Sequence, residues 1–293
     1  MKRVKSLLAL TVCLLMSMAP ALSQPKPPLL VETEWLAENG GSGYVRIVDM
    51  RAQKEYEAGH IPQAVYLDER TLRNEADRDT YLPVPETFAQ QMGAIGVSGE
   101  THVVIYDDQG GRSAARLWYV LNAFGHTRVS LLNGGWLKWK GEGRPVTAET
   151  PTIPQARFVP KPAASLSCPS PELLARKPGV VVLDARSPKE FDGSETTRGA
   201  DRAGRLPGSV NVEWKEAVTG PYLVFKPAEE LKRLFAQKGV TPDREIVALC
   251  GTGGRAAHAL FTLKMLGYPK VRIYYGSFLD YIRRPDAPLE KPR

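Results

Sequence analysis

The chain has 293 residues, 43% of them hydrophobic and 24% charged, with a net charge of +7. That length accommodates two domains of common size, and that balance excludes a disordered chain. The basic residues are interleaved with acids and form no stripe with aromatics, which argues against nucleic acid as a partner and suits a small anionic one instead.

Lys2, Arg3 and Lys5 precede an apolar run from Leu7 to Met16, and Ala19-Pro20-Ala21-Leu22-Ser23 follows. A basic start, an apolar centre and small residues at a cleavage point mark a signal peptide over residues 1–23, cut after Ser23 or after Ala21. The apolar run is too short to span a bilayer, and no later segment of the sequence reads as a span, so no membrane association is expected after cleavage. The leader carries three positive charges and no acid, so its loss lowers the net charge from +7 to +4. The expected location is outside the cytoplasm, in the periplasm of a Gram-negative host. Cys13 leaves with the leader, while Cys168 and Cys250 remain. Two cysteines in an exported protein suggest a disulfide. The Pro-rich surroundings of Cys168 and the reactive setting of Cys250 argue against one. His60, His102, His126 and His258 show no metal-ligand spacing.

In chain order, Thr33 to Glu38 reads as a short helix and Val45 to Asp49 as a strand ending in an acid. Tyr56 to Leu67 reads as a helix end, a turn and a short strand. Pro85 to Met92 is a helix, Val103 to Tyr106 a strand, and Asp107-Asp108-Gln109-Gly110-Gly111-Arg112 a loop. Ala114 to Phe124 has helical spacing, Val129 to Leu132 is a strand, and Asn133-Gly134-Gly135-Trp136 opens a helix to Lys140. From Gly141 to Pro171 the chain is rich in Pro, Ala and Thr without a sustained period.

The pattern then repeats. Val180 to Arg186 echoes Ile47 to Arg51, Phe191 echoes Tyr56, and Leu206 to Val212 echoes Ile61 to Leu67. Pro227 to Gln237 echoes the Pro85 helix, and Tyr275-Gly276-Ser277-Phe278 echoes Gly134-Gly135-Trp136. Order and spacing hold except for an insertion between Phe191 and Arg205. The reading is two copies of one α/β domain, each a parallel sheet flanked by helices: domain 1 at 29–145, a linker at 146–171 and domain 2 at 172–289.

The most informative stretch is Ile246-Val247-Ala248-Leu249-Cys250-Gly251-Thr252-Gly253-Gly254-Arg255. It reads as a buried strand, a tight loop and a helix start, which puts a thiol at the carboxyl end of a parallel strand. The glycines let successive N–H groups converge, and the helix dipole and Arg255 add positive field. All three effects favour thiolate over thiol and make Cys250 a candidate nucleophile. Counting five residues back from the loop arginine gives Cys250 in copy two and Asp107 in copy one. Copy one therefore lacks the nucleophile and is expected to be a structural partner closing over the site.

These residues resemble the tandem rhodanese family across the whole mature chain. Tyr56-x-x-x-His60-Ile61-Pro62-x-Ala64 matches its N-terminal signature, with Gln63 where glycine is usual. Asn133-Gly134-Gly135-Trp136 and Tyr275-Gly276-Ser277-Phe278 match its C-terminal signature, and Cys250 to Arg255 matches its six-residue active-site loop. The resemblance implies two rhodanese-like domains and a sulfurtransferase that needs no metal or organic cofactor. Cys250 would take sulfur from a small anionic donor, thiosulfate or 3-mercaptopyruvate, and pass it to a thiol or cyanide acceptor. Gly251, Thr252, Gly253, Gly254 and Arg255 would form the loop around it.

Cys-Gly-Thr-Gly looks more like the mercaptopyruvate group, in which Asp49 and His60 would act with Thr252; a local capping role is the other reading of that pair. Arg255 points back toward the thiosulfate group. Arg186 has two readings, substrate binding or a buried ion pair with an acid of the fold. Glu190 stands where an arginine usually holds the donor and would repel an anion. Arg205 replaces the signature histidine, and the insertion offers Arg198 and Arg202 in compensation; Arg198 matches a second anion-binding arginine of the mercaptopyruvate group. Two rivals remain. One is a sulfur-carrier or partner-binding module without turnover. The other is a cysteine phosphatase or arsenate reductase, whose loops are one residue longer, Cys-x5-Arg.

Overall fold

The computed structural model describes residues 26–77, 81–163, 166–285 and 287–291. The signal-peptide reading at residues 1–23 lies outside them.

The first half builds a five-stranded, wholly parallel sheet in the order β1-β5-β4-β2-β3. Its strands are β1 (Leu30–Val31), β2 (Val45–Asp49), β3 (Ala64–Tyr66), β4 (His102–Tyr106) and β5 (Val129–Leu132). Every residue of β4 and β5 is buried, as expected for strands covered on both faces by helices. Those helices are α1 (Thr33–Asn39), α2 (Gln53–Ala58), α3 (Pro85–Ala94), α4 (Arg112–Ala123) and α5 (Gly135–Gly141).

The second half repeats the plan with α6 (Ser170–Leu174), β6 (Val181–Asp184), α7 (Pro188–Asp192), β7 (Val210–Asn211), α8 (Ala228–Ala236), β10 (Ile246–Leu249), α9 (Gly254–Met265), β11 (Val271–Ile273) and α10 (Ser277–Ile282). Its parallel sheet runs β11-β10-β6-β7. A parallel bridge from Ser167 to Ile273 sits on the β11 edge, in the place β1 holds on β5. Two features had no signal in the sequence. One is β1 itself, two residues long. The other is an antiparallel ribbon, β8 (Val218–Thr219) with β9 (Val224–Phe225), that leaves domain 2 to lie on domain 1. Phe225 Cζ and Cε2 lie against Gly111, and the Tyr222 ring lies on Gly141, where a Cβ would come within 2.3 Å of it.

The segment read as a linker is packed rather than loose. Thr147 bridges His60, Ala156 N–H bonds Gly93, Lys161 N–H bonds Phe124, and Phe158 is buried against Phe88. From Thr147 to Lys161 it runs over domain 1.

The two halves share one core. Buried apolar residues of α4 and α9 belong to a single cluster that continues into both sheets. Trp118 meets Phe261 edge-on with ring centroids 5.2 Å apart, and Tyr119 lies 4.8 Å from Tyr275. Helices at homologous places in the two copies therefore pack against each other, and the loops that precede them come together at one interface. No helix among the described residues is long and apolar enough to cross a membrane.

Candidate active site

Cys250 is the first residue after β10 and has no exposed surface. Its N–H donates to Ser277 Oγ at 3.1 Å, and its carbonyl accepts from Phe278 N–H at 2.9 Å. Gly251 O accepts from Leu279 N–H at 3.2 Å. The backbone on both sides of the thiol is thus fixed to the start of α10. Gly253 N–H donates to Cys250 Sγ at 3.1 Å. Gly253 is left-handed at φ +93°, and a Cβ there would lie 2.3 Å from the Tyr275 ring, so only glycine fits. The first intrahelical bond of α9 is Ala257 N–H to Gly253 O. The N–H groups of Gly254, Arg255 and Ala256 have no hydrogen-bond partner among the described residues, as the geometry of a helix start requires. They form an anion-binding end next to the sulfur.

Domain 1 shows what such an end holds. The Asp107 carboxylate accepts from the N–H groups of Gln109, Gly111, Ser113 and Ala114 at 2.7–3.0 Å. The side chain in the place of the thiol fills its own cradle. The match needs one correction. Strand pairing aligns Asp107 with Cys250, since Tyr106 and Leu249 are the last paired residues before each loop. The helices do not keep that spacing: α4 starts at Arg112 itself, whereas α9 starts at Gly254, one residue before Arg255. Copy one has an extra left-handed glycine, Gly110 at φ +69°. Arg112 and Arg255 are therefore not equivalent. Arg112 bonds Gln109 and Glu69, while Arg255 turns to Glu190.

The Glu190 pairing reverses the expectation for that residue. Arg255 forks onto the Glu190 carboxylate, with Nη2 at 3.0 Å from Oε1 and Nη1 on Oε2. Ser187 Oγ accepts from Glu190 N–H in a capping box that starts α7. The acid locks the loop arginine instead of facing a donor. Burial alone would raise the Glu190 carboxyl, but Arg255 and the Ser187 N–H outweigh it and bring it down to about 2. Burial would also lower Arg255, but Glu190 and the Cys250 sulfur outweigh it and hold that guanidinium above its ordinary value.

The other candidates separate. Arg186 is fully buried, forked onto Asp184, with further bonds to Thr197 Oγ1 and Gly204 O. Its donors are taken up by the ion pair of the fold, the second of its two readings. Asp49 is engaged by Arg51 and by the Tyr106 hydroxyl. His60 stacks on Tyr56, and its ring nitrogens meet the carbonyls of Tyr56 and Glu149. Among the described residues none of these bonds reaches Thr252, so the local reading of Asp49 and His60 is the one the geometry supports. Arg202 bonds the carbonyls of Arg284 and Ala287 and ties down the C-terminal segment, and Arg205 lies against Glu290 and Phe191. Arg198 is exposed and has no ion pair or hydrogen bond among the described residues. Its neighbour Thr197 packs its methyl against Gly251, where a Cβ would be 3.0 Å away. Cys168 and Cys250 are both free thiols, in core clusters on different sides of the second sheet.

The sequence reading missed the contribution of domain 1. Arg73 donates to Thr252 O at 3.2 Å and to Tyr275 O at 2.9 Å. Arg116 donates to Thr252 O at 3.0 Å and pairs with Glu69 at 3.1 Å. The Tyr81 hydroxyl donates to Asp280 at 2.5 Å. The one available signal was a surplus of cations on the face of α4 that follows the Asp107 loop.

Two doubly wound halves, one with a thiol at the strand-loop-helix junction and one with a carboxylate there, define a tandem protein with a single cysteine site. A family model described as the rhodanese-like domain matches residues 32–142 and 171–284, and the chain belongs to that family. It is 36% identical over 280 residues to a sulfur carrier protein of Thermus thermophilus, covering 90% of this chain and 97% of that one. It is 35% identical over 277 residues to the 3-mercaptopyruvate sulfurtransferase of Rattus norvegicus, covering 91% and 90%. The crystal structure of a 3-mercaptopyruvate sulfotransferase from Escherichia coli superposes with a TM-score of 0.77 at 30% identity, over 86% of this chain and 99% of that one.

The Glu190–Arg255 pair has a pH signature. A carboxyl at about 2 in the folded chain, against an ordinary 4.5, is depressed. Its stabilisation is whole above 4.5 and is lost as the pH falls toward 2. In urea titrations across that window, the unfolding free energy of Glu190→Gln should fall less steeply than that of the unaltered chain. Equal slopes would mean that the pair contributes no stability.

Proposed function

We propose that the chain is a sulfurtransferase that moves a sulfane sulfur from thiosulfate or 3-mercaptopyruvate to cyanide or a thiol through a persulfide on Cys250. The observation that carries this reading is the Gly253 N–H on Cys250 Sγ beside three N–H groups at the start of α9 with no partner among the described residues. Such an end stabilises an anionic sulfur, first the thiolate and then the outer sulfur of the persulfide. The spacing Cys250-x4-Arg255 is one residue short of the loop that cradles a tetrahedral oxyanion, which favours sulfur over phosphate or arsenate.

In the first half-reaction the Cys250 thiolate attacks the outer sulfur of the donor and forms an S–S bond. The bond from that sulfur to the rest of the donor breaks, and its electron pair leaves on sulfite from thiosulfate, or on the enolate of pyruvate from mercaptopyruvate. In the second half-reaction the acceptor attacks the outer sulfur and returns the thiolate. This is covalent catalysis in two steps. Ser277 and the N–H of Phe278 hold the Cys250 backbone still through both.

The name of the Thermus relative supports a second reading, a dedicated sulfur carrier. The buried position of Cys250 weighs against it, since a protein acceptor has to reach a sulfur with no exposed surface beneath domain 1. Small donors and acceptors suit that enclosure better. For the donor, Arg198 is the cation at the rim left free for an anionic group. Export, as the leader implies, is part of this proposal.

Three outcomes test it. Cys250→Ser should keep the fold and abolish transfer of sulfur to cyanide, with no persulfide in intact-mass spectra after donor treatment. Retained turnover would end the assignment, and a persulfide on the unaltered chain that forms but never turns over would favour the carrier. Arg198→Glu should raise the donor KM roughly tenfold, in line with the reversal of one partly screened charge, and leave the acceptor KM in place; an unchanged donor KM removes Arg198 from the site. The mature N-terminus of chain recovered from a periplasmic extract should start after Ser23 or Ala21, whereas an intact leader on cytoplasmic chain would contradict export.

A further inference from the structure

The catalytically empty domain reaches the thiol through one peptide unit. The carbonyl of Thr252 and the N–H of Gly253 belong to the same planar trans amide and point in opposite directions. The N–H end donates to Cys250 Sγ at 3.1 Å. The carbonyl end accepts from two cations of domain 1, Arg73 Nη1 at 3.2 Å and Arg116 Nη2 at 3.0 Å. The two arginines are 179 and 136 residues away in sequence and come from different parts of domain 1.

Both are built into place. Arg116 is 8% exposed, and its guanidinium lies flat on Gly254, where a Cβ would be 3.0 Å from Nη2 and 3.2 Å from Nε. Glu69 holds its other edge at 3.1 Å, and its Nε is buried without a partner. Arg73 is fixed by Glu75 at 2.5 Å and sits over the Tyr81 ring at 4.2 Å. A guanidinium on a carbonyl oxygen orients that amide and polarises its N–H, so the hydrogen bond on the far end strengthens.

We propose that Arg73 and Arg116 are positioning residues for the cysteine site, orienting and polarising the Thr252–Gly253 amide so that its N–H stabilises the Cys250 thiolate. The first domain is then part of the reaction centre although it holds no nucleophile. This rests on the reading of Cys250 as the nucleophile, and the test below reports on the thiol whether or not any donor is turned over. The charged and titratable groups around that thiol are Arg73, Arg116, Glu69 and Glu75 from domain 1 and Arg255, Glu190 and Tyr275 from domain 2.

The experiment follows the rate of Cys250 modification by methyl methanethiosulfonate, a small neutral thiolate reagent, against pH. A Cys168→Ala background leaves Cys250 as the sole thiol beyond the leader. Arg73→Gln with Arg116→Gln should move the midpoint up by about one pH unit, an about tenfold loss of thiolate at a fixed pH below it. Arg73→Lys with Arg116→Lys, which keeps both charges and a donor to the carbonyl, should recover more than half of that shift. Tyr222→Ala loosens the same domain interface at Gly141, away from the thiol, and should lower the melting temperature with the midpoint unmoved. An unmoved midpoint in the Gln pair, with a melting temperature lowered as in Tyr222→Ala, would reduce the two arginines to interface struts and overturn the proposal. If the Gln pair does not fold, Arg116→Gln alone carries the same test with a smaller shift in the same direction.

Discussion

A helix that starts beneath another domain leaves its first N–H groups without water and without intrahelical partners, and something anionic has to meet them. Both halves of this chain place a helix start close to that position, because α4 and α9 pack against each other and bring the loops that lead into them to the same interface. Domain 1 meets the requirement with its own sequence, through the four bonds accepted by Asp107. That cradle is occupied by the chain's own carboxylate, so it offers no open anion site. Domain 2 puts a thiol in the same place, and Gly253 N–H is the single one of these donors that already has the sulfur as its partner. The remaining donors wait for charge that arrives with the reaction. The difference between a closed structural loop and a working one is thus whether the anion is supplied by the chain or by the chemistry.

The arginines around the site divide by what holds them. Arg51 and Arg186 stand two residues after the acid that ends a central strand. Each forks onto that acid and reaches a carbonyl eight or eighteen residues on, Gly59 in one copy and Gly204 in the other. Two copies using the same pair in the same way, only one of them with a cysteine, mark it as part of the fold. Breaking either pair would strand a buried charge. Arg255 belongs to another class: its partner comes from α7, and it fixes the depth of the loop rather than the sheet. Arg73 and Arg116 form a third class, with carboxylates on one side and the loop carbonyl on the other.

The sheets, the repeat and the place of Cys250 were legible because they rest on local pattern: apolar runs of four or five residues, glycines at helix starts, and an acid or a thiol directly after a strand. The exchange of Asp107 for Cys250 could be read from alignment of the copies alone. The one-residue offset between the two helix starts could not, because it depends on Gly110 and Gly111 both taking the left-handed region, and glycine permits that conformation without requiring it. The roles of Arg73, Arg116 and Glu69 were out of reach for a different reason. They depend on which faces of two domains meet: the bonds of Arg73 and Arg116 to Thr252 span 179 and 136 residues, and Glu69 matters only because it holds Arg116 there. Glu190 was placed at the site, but the sign of its effect was misread. An acid beside a donor site repels, whereas an acid forked onto a neighbouring arginine neutralises, and only the three-dimensional fold distinguishes the two. Asp49 and His60 carried family weight in the sequence, and in the fold they are spent on Arg51, Tyr106, Tyr56 and Glu149.

The same sorting of charges bears on the choice of donor. Arg255 is neutralised by Glu190, Arg186 by Asp184 and Arg116 by Glu69, while Arg202 is spent on C-terminal carbonyls. The insertion is pinned on one side by Thr197, which bonds Arg186 and packs on Gly251, and on the other by Arg202. Between these anchors it leaves Arg198 exposed to solvent. The two donors place their charge differently. In thiosulfate the anionic group is bonded directly to the transferred sulfur, so it falls within reach of the N–H groups that start α9. In mercaptopyruvate the carboxylate lies two carbons beyond the sulfur-bearing one, so it has to be met further from the loop, and Arg198 is the cation proposed for it. On the proposed reading the loop would serve the anionic group of thiosulfate and the insertion the carboxylate of mercaptopyruvate, with Arg255 held by Glu190 in either case.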